Sequence, residues 1–101
     1  MQKTIFITGA SAGLGKATAK LFQSRGWNVI ATMRNPEQET ELKQLENITL
    51  LPLDVTDTEQ IKTTTAKAIS LYPIDVVFNK AGYGLMEALH FQLKKSISAI
   101  V

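Results

Sequence analysis

The sequence predicts an α/β fold, a parallel sheet with helices on both faces built from consecutive β-α-β units. Three observations carry this expectation. An apolar run, Ile5 to Ile7, leads through a turn holding Gly9, Gly13 and Gly15 into a stretch of helical periodicity. Strand-length and helix-length segments then alternate to about residue 78, the pattern of parallel β-α-β units with right-handed crossovers. The composition, 45% apolar and 20% charged, is that of an ordinary globular protein.

The 101 residues make one domain with a single modest core. With no cysteine and one histidine, a disulfide framework, a thiolate metal site and a histidine metal cluster are excluded, and no metal is expected. No apolar run approaches the ~20 residues of a membrane span, and the segment before Gly9 is too short for a signal peptide. A cytoplasmic location is therefore expected, with no membrane partner. The net charge of +2 is small and no basic stripe is interleaved with aromatics, so nucleic acid is not expected either.

The first strand covers about residues 4–8, near-continuously apolar as a doubly covered strand should be. The first helix spans about residues 13–25, with Gly26 placed to stop it. Leu14, Ala17, Thr18, Leu21 and Phe22 fall at helical spacing and are expected to form its buried face. A second strand follows over 27–32, with Trp27 packing at its start. Asn35-Pro36 reads as an N-cap and first helical residue of a short second helix reaching about Leu45. Its acids, Glu37, Glu39, Glu41 and Glu46, are expected to form a solvated face rather than a metal site.

The third strand is 48–53, and Pro52 near its end suits a sheet edge. Thr56 and Glu59 are spaced as a capping box for a third helix over about 57–71. That helix should bury Ile61, Thr65, Ala68 and Ile69, and Tyr72-Pro73 should end it. The fourth strand is 74–78.

The glycine turn is where chemistry is expected. Gly9 ends the strand at a sharp turn. Gly13 lets a pyrophosphate approach the backbone, and Gly15 lets the helix start pack closely on the strand. The helix N-terminus adds amide donors and a positive dipole end. The spacing is Gly-x-x-x-Gly-x-Gly, not the general dinucleotide fingerprint. A phosphoryl-transfer loop is excluded, because Ala10 stands where its first glycine belongs and Ala17 where it needs a hydroxyl for Mg²⁺.

The segment Thr8-Gly-Ala-Ser-Ala-Gly-Leu-Gly15 resembles the Thr-Gly-x-x-x-Gly-x-Gly motif of the short-chain dehydrogenase/reductases, and the resemblance runs to about residue 86. It implies a Rossmann-type fold and a nicotinamide cofactor held along Thr8, Gly9, Ser11, Ala12, Gly13, Leu14 and Gly15. In dinucleotide folds an acid after the second strand binds the ribose 2′-hydroxyl of NAD. Here Met33 and then Arg34 take that place. A guanidinium suits a 2′-phosphate and an acid would repel it, so NADP (NADPH) is expected over NAD, with Ser11 as a further donor. The resemblance assigns Asp54, next to Val55, to the adenine amino group. It also sets Asn79, Ala81 and Gly82 along the cofactor, with Lys80 where the family has a second asparagine.

Catalytic residues are not expected in this chain. The family uses Tyr-x-x-x-Lys with an upstream serine, but Val76 follows Tyr72 by four and Glu87 follows Tyr83 by four. His90 has no nucleophile near it in sequence. The expected sheet order is 3-2-1-4 in a truncated Rossmann-type domain spanning 1–101, with the fourth strand an exposed edge and 87–101 a divergent tail holding a short helix over 87–95. The reading is the NADP(H)-binding half of a short-chain oxidoreductase, inactive alone. Its alternatives are a non-catalytic module pairing with another copy or chain through the fourth strand, and a non-functional remnant.

Overall fold

A computed structural model describes residues 2–79 and the short strand Ala99–Ile100. The described elements are β1 (Thr4–Ile7), α1 (Gly13–Ser24), β2 (Asn28–Met33), β3 (Ile48–Pro52), α2 (Thr58–Leu71), β4 (Val76–Phe78) and β5 (Ala99–Ile100). The strands form one parallel sheet in the order β3-β2-β1-β4-β5. The expected order 3-2-1-4 is therefore present, with β3 and its Pro52 at one edge. The other edge differs from expectation. Val76 and Val77 of β4 pair with Ala99 and Ile100, so β4 is an inner strand and not an exposed one.

The alternation of β1 and β2 divides the core into two layers, as a period-two backbone requires. Phe6 and Ile30 pack with Leu51, Ile61, Ala68 and Val77 on the α2 side of the sheet. Ile5, Ile7, Val29, Ala31 and Met33 pack with Ala19 and Leu42 on the α1 side. Each fully buried large side chain, Phe6 or Ile30 for example, contributes about 1.5–3 kcal/mol. At the start of β1, Asp75 holds both backbone polar groups of Thr4. Its Oδ2 accepts from the Thr4 amide at 2.9 Å, and its own amide donates to the Thr4 carbonyl at 2.9 Å.

Helix α1 buries a different face from the one its apolar spacing predicts. Leu14 and Leu21 are 62% and 51% exposed, whereas Gly15 and Ala19 are buried. Phe22 packs against the core from the same stripe and stacks edge-on against Trp27 at 4.9 Å. Of the expected face Leu14, Ala17, Thr18, Leu21 and Phe22, Phe22 packs inward as expected, while Leu14, Ala17 and Leu21 are exposed and the inward stripe runs through Gly15 and Ala19 instead. The cause is close approach. A Cβ at Gly15 would lie 2.2 Å from the Gly9 carbonyl oxygen, so only small residues fit where the helix meets the strand turn.

The expected second helix is replaced by two single 3-10 turns, Pro36–Gln38 and Leu42–Gln44. Pro36 does open the first, but Asn35 makes no capping bond and Glu39 is extended. With Leu42 the one buried residue in either turn, the segment has no apolar stripe to hold a helix against the sheet.

Helix α2 follows expectation along its length, burying Ile61, Thr64, Thr65 and Ala68, with Ile69 packed alongside. Its buried hydroxyls are satisfied: Thr64 donates to the Pro52 carbonyl at 2.6 Å and Thr65 to that of Ile61 at 2.8 Å. Its start differs by one residue. Asp57, not Thr56, is the N-cap, and its carboxylate accepts from the Gln60 amide at 3.1 Å. Thr56 is instead bound to Asp54.

Candidate functional site

The ends of β1, β2 and β3 face one cleft of about 610 Å³, the position where open parallel sheets place ligands. Three connections wall it. The β1–α1 turn contributes Thr8, Gly9 and Ser11, and Lys16 stands in the first turn of α1. The β2–β3 connection contributes Met33 to Asn35 and Gln38 to Thr40. The segment after β3 contributes Leu53 and Val55.

The β1–α1 turn is fixed from both sides. The Thr8 amide donates to the Phe78 carbonyl at 3.0 Å, and the Ala10 amide to that of Thr32 at 3.1 Å. The Thr32 hydroxyl donates back to the Ile7 carbonyl at 2.8 Å. The backbone then passes through Gly9 at φ +63° and Gly13 at φ +58°, a region that disfavours side chains. Nothing lies within 4 Å of a Cβ built at Gly13, so the turn is open there, while at Gly15 it is closed. Helix α1 begins after Ala12, which caps no amide, and carries no acid in its first turn. Its first amides thus have no side-chain acceptor, and an anion beside Ser11 and Gly9 would find donors and a positive dipole end. These features fit a pyrophosphate.

At the end of β2 the cleft wall is Met33 and Arg34, with no carboxylate in the position that binds a ribose diol. Asp54 stands beside the cleft residues Leu53 and Val55. Its Oδ1 accepts from the Thr56 hydroxyl at 2.6 Å and the Thr56 amide at 3.0 Å. These bonds, and less strongly the charge of Arg34, hold its carboxyl below the ordinary carboxylate value. Asn79 is half-buried just beyond β4. Thus Thr8, Gly9, Ser11, Arg34 and Val55 share the cleft. Ala12, Gly13, Leu14 and Gly15 form the adjoining turn, and Asp54 flanks it. Lys80, Ala81, Gly82, Tyr83, His90 and the helix expected over 87–95 lie outside the described residues.

Of the acids of the β2–β3 connection, Glu37, Glu41 and Glu46 are exposed as expected, and Glu39 is the exception. Glu39 is 6% exposed, lies in the cleft wall, and accepts from the Leu42 amide at 2.9 Å. Lys16 reaches Glu39 at 3.3 Å and Glu41 at 3.0 Å, and Lys20 also pairs with Glu41. The Leu42 amide chiefly, and Lys16 after it, hold the Glu39 carboxyl below its ordinary value against the opposing effect of burial. Glu41 is drawn down to about 2 by Lys20 and Lys16, and the Lys16 ammonium is raised, mainly by Glu41. Among the described residues no group of three or more His, Cys, Asp or Glu side chains converges as a metal site.

The model for short chain dehydrogenases matches residues 3–101. The chain belongs to the short-chain dehydrogenase family. The match extends across residues 87–101, past residue 86 where the resemblance was expected to end. Short-chain dehydrogenase PC-15 of Penicillium crustosum is 39% identical over 87 residues, covering 82% of this chain and 32% of that protein. A short-chain dehydrogenase from Streptomyces avermitilis superimposes with a TM-score of 0.73 at 36% identity, over 80% of this chain and 31% of that one. The structure of ElxO with NADP bound gives a TM-score of 0.71 at 35% identity, over 82% of this chain and 36% of that one. This short-chain dehydrogenase chain therefore spans about a third of the length of the relatives it matches. No helix among its described residues is long and apolar enough to cross a membrane.

Proposed function

We propose that this chain is the NADP(H)-binding part of a cytoplasmic short-chain oxidoreductase that interconverts an alcohol and a carbonyl compound. The observation that carries the cofactor preference is Arg34, lining the cleft at the end of β2 where an NAD-binding site would need an acid. The ElxO structures, one with NADPH bound and one with NADP bound, support the same reading by similarity.

The residues divide the work by chemistry. The turn from Thr8 to Gly15 holds the pyrophosphate on backbone amides, Ser11 adds a hydroxyl, and Arg34 pairs with the 2′-phosphate. Asp54 keeps one carboxylate oxygen for the adenine amino group while Thr56 occupies the other, and Val55 packs on the ring. Asn79, Ala81 and Gly82 continue the cofactor's bed beyond β4. When bound, the dinucleotide supplies or accepts the hydride. This chain has no Tyr-x-x-x-Lys to give the accompanying proton, so its own share of the reaction is binding and orientation.

The test is calorimetric titration of the chain with NADPH and with NADH, for the unsubstituted protein and for Arg34→Asp. Saturable binding that favours NADPH is expected, and Arg34→Asp should weaken NADPH by about tenfold or more while sparing NADH. Equal loss of both would remove Arg34 as the phosphate ligand.

A further inference from the structure

Lys16 follows the last glycine of the turn and lines the same cleft as Arg34, yet it is committed elsewhere. Its ammonium lies 3.3 Å from Glu39 and 3.0 Å from Glu41. Glu39 is the unusual partner, a carboxylate nearly removed from solvent and set in the wall of a cleft suited to anions. Its second anchor, the Leu42 amide at 2.9 Å, fixes its position whether or not Lys16 is present. Lys16, Lys20, Glu39 and Glu41 form a closed set of two cations and two anions. The set contributes no net charge to the cleft as it stands.

We infer that Glu39 is a specificity-setting residue, which acts by holding Lys16 away from the 2′-phosphate and so leaves Arg34 as the single cation that reads that group. The inference rests on the NADP(H) reading of the cleft. Neutralising Glu39 leaves two lysines for one carboxylate. Glu41 already contacts both lysines, so Lys16 keeps that exposed partner but loses its buried anchor, and a phosphate on the Arg34 side competes for it with Glu41 alone. Glu39→Gln suits the test because its amide oxygen can still accept from the Leu42 amide, so the loop keeps its anchor. Lys16 is a cleft cation in reserve, and its present ion pair limits how strongly the site favours the phosphorylated dinucleotide.

The experiment is titration of the chain with NADPH and NADH for the unsubstituted protein, Glu39→Gln, Lys16→Met, and the double variant. Glu39→Gln should tighten NADPH by about three- to fivefold, the size of one partly screened ion pair, and leave NADH unchanged. Lys16→Met should leave the ratio of the two affinities unchanged. Added to Glu39→Gln, it should cancel the gain. An unaltered ratio in Glu39→Gln overturns the inference, as does a gain that survives in the double variant, because removal of the negative charge would then suffice without Lys16. A selective loss of NADPH in Lys16→Met overturns it too, by making Lys16 a phosphate ligand already. Failure of the unsubstituted chain to bind either nucleotide is a separate result, which removes the nucleotide reading and the inference with it.

Discussion

Two helices start at the same end of the sheet, α1 after β1 and α2 after β3, and their first turns are built in opposite ways. At α2 the Asp57 carboxylate accepts from the Gln60 amide, the Gln60 side chain accepts from the Asp54 amide, and Glu59 adds negative charge beside the dipole. That terminus satisfies itself. At α1 the cap is Ala12, no acid stands in the first turn, and glycine occupies the first and third helical positions. A protein that caps one helix fully has the means to cap the other. The difference is that α1 leaves its first amides without a side-chain acceptor beside the cleft, the arrangement that the proposed pyrophosphate site requires.

The comparison can be broken most strongly at Gly15. Gly15→Ala would put a methyl 2.2 Å from the Gly9 carbonyl oxygen and should cost about 2–3 kcal/mol of stability, read as a fall in the urea unfolding midpoint. Gly13→Val should leave far-ultraviolet circular dichroism native-like yet reduce binding of NADPH and NADH together by at least about tenfold, since a β-branched residue at positive φ both strains and fills the open side of the turn. Unchanged affinity would remove the turn as the pyrophosphate site.

Ala12→Asp sharpens the contrast by giving α1 the cap that α2 has. It should raise stability by about 0.5–1 kcal/mol while weakening both nucleotides, and a stabilised variant with unimpaired binding would contradict the account. The converse change, Asp57→Ala, should lower stability by about 1 kcal/mol with no effect on nucleotide affinity. The smallest effect concerns acid. The carboxyls of Glu39 and Glu41 titrate below their ordinary value when folded. They therefore contribute stability that is present above the ordinary carboxylate pKa and is lost as the pH falls below it, for Glu41 down to about 2. Unfolding midpoints at pH 7 and pH 3 should differ less in Glu39→Gln than in the unsubstituted chain.

Legibility in the sequence follows the range of the interactions. The strands, the glycine turn and the course of α2 are written in residues close together; the sheet order 3-2-1-4 and the places of Ser11 and Val55 followed from the family resemblance that the glycine turn carries, and Arg34 from the missing acid after β2. The buried face of α1 could not be read, because Leu14 and Leu21 are apolar yet exposed, and the face was chosen by the contact of Gly15 with Gly9. Glu39 was missed for a related reason. Its cation, Lys16, is 23 residues upstream, and nothing in the acidic run from Glu37 to Glu46 separates one buried carboxylate from its solvated neighbours. At α2 two capping patterns overlap by one residue, and the choice of Asp57 over Thr56 depended on Asp54 capturing the Thr56 hydroxyl. The strand β5 is two residues long and carries too short a pattern to be recognised.

The pairing of β1 has a consequence for how the chain acquires its structure. β1 is made first, but its partner on one side is β4, and the ladder joins Ile5 to Val76 and Ile7 to Phe78. The Asp75 clamp on Thr4 bridges 71 positions. At a synthesis rate of about 5–20 residues per second, the central strand waits several seconds for that neighbour, with β2 alone beside it. Such non-local closure slows folding, and the pairing that seats the middle of the sheet waits on a strand made about 70 residues later.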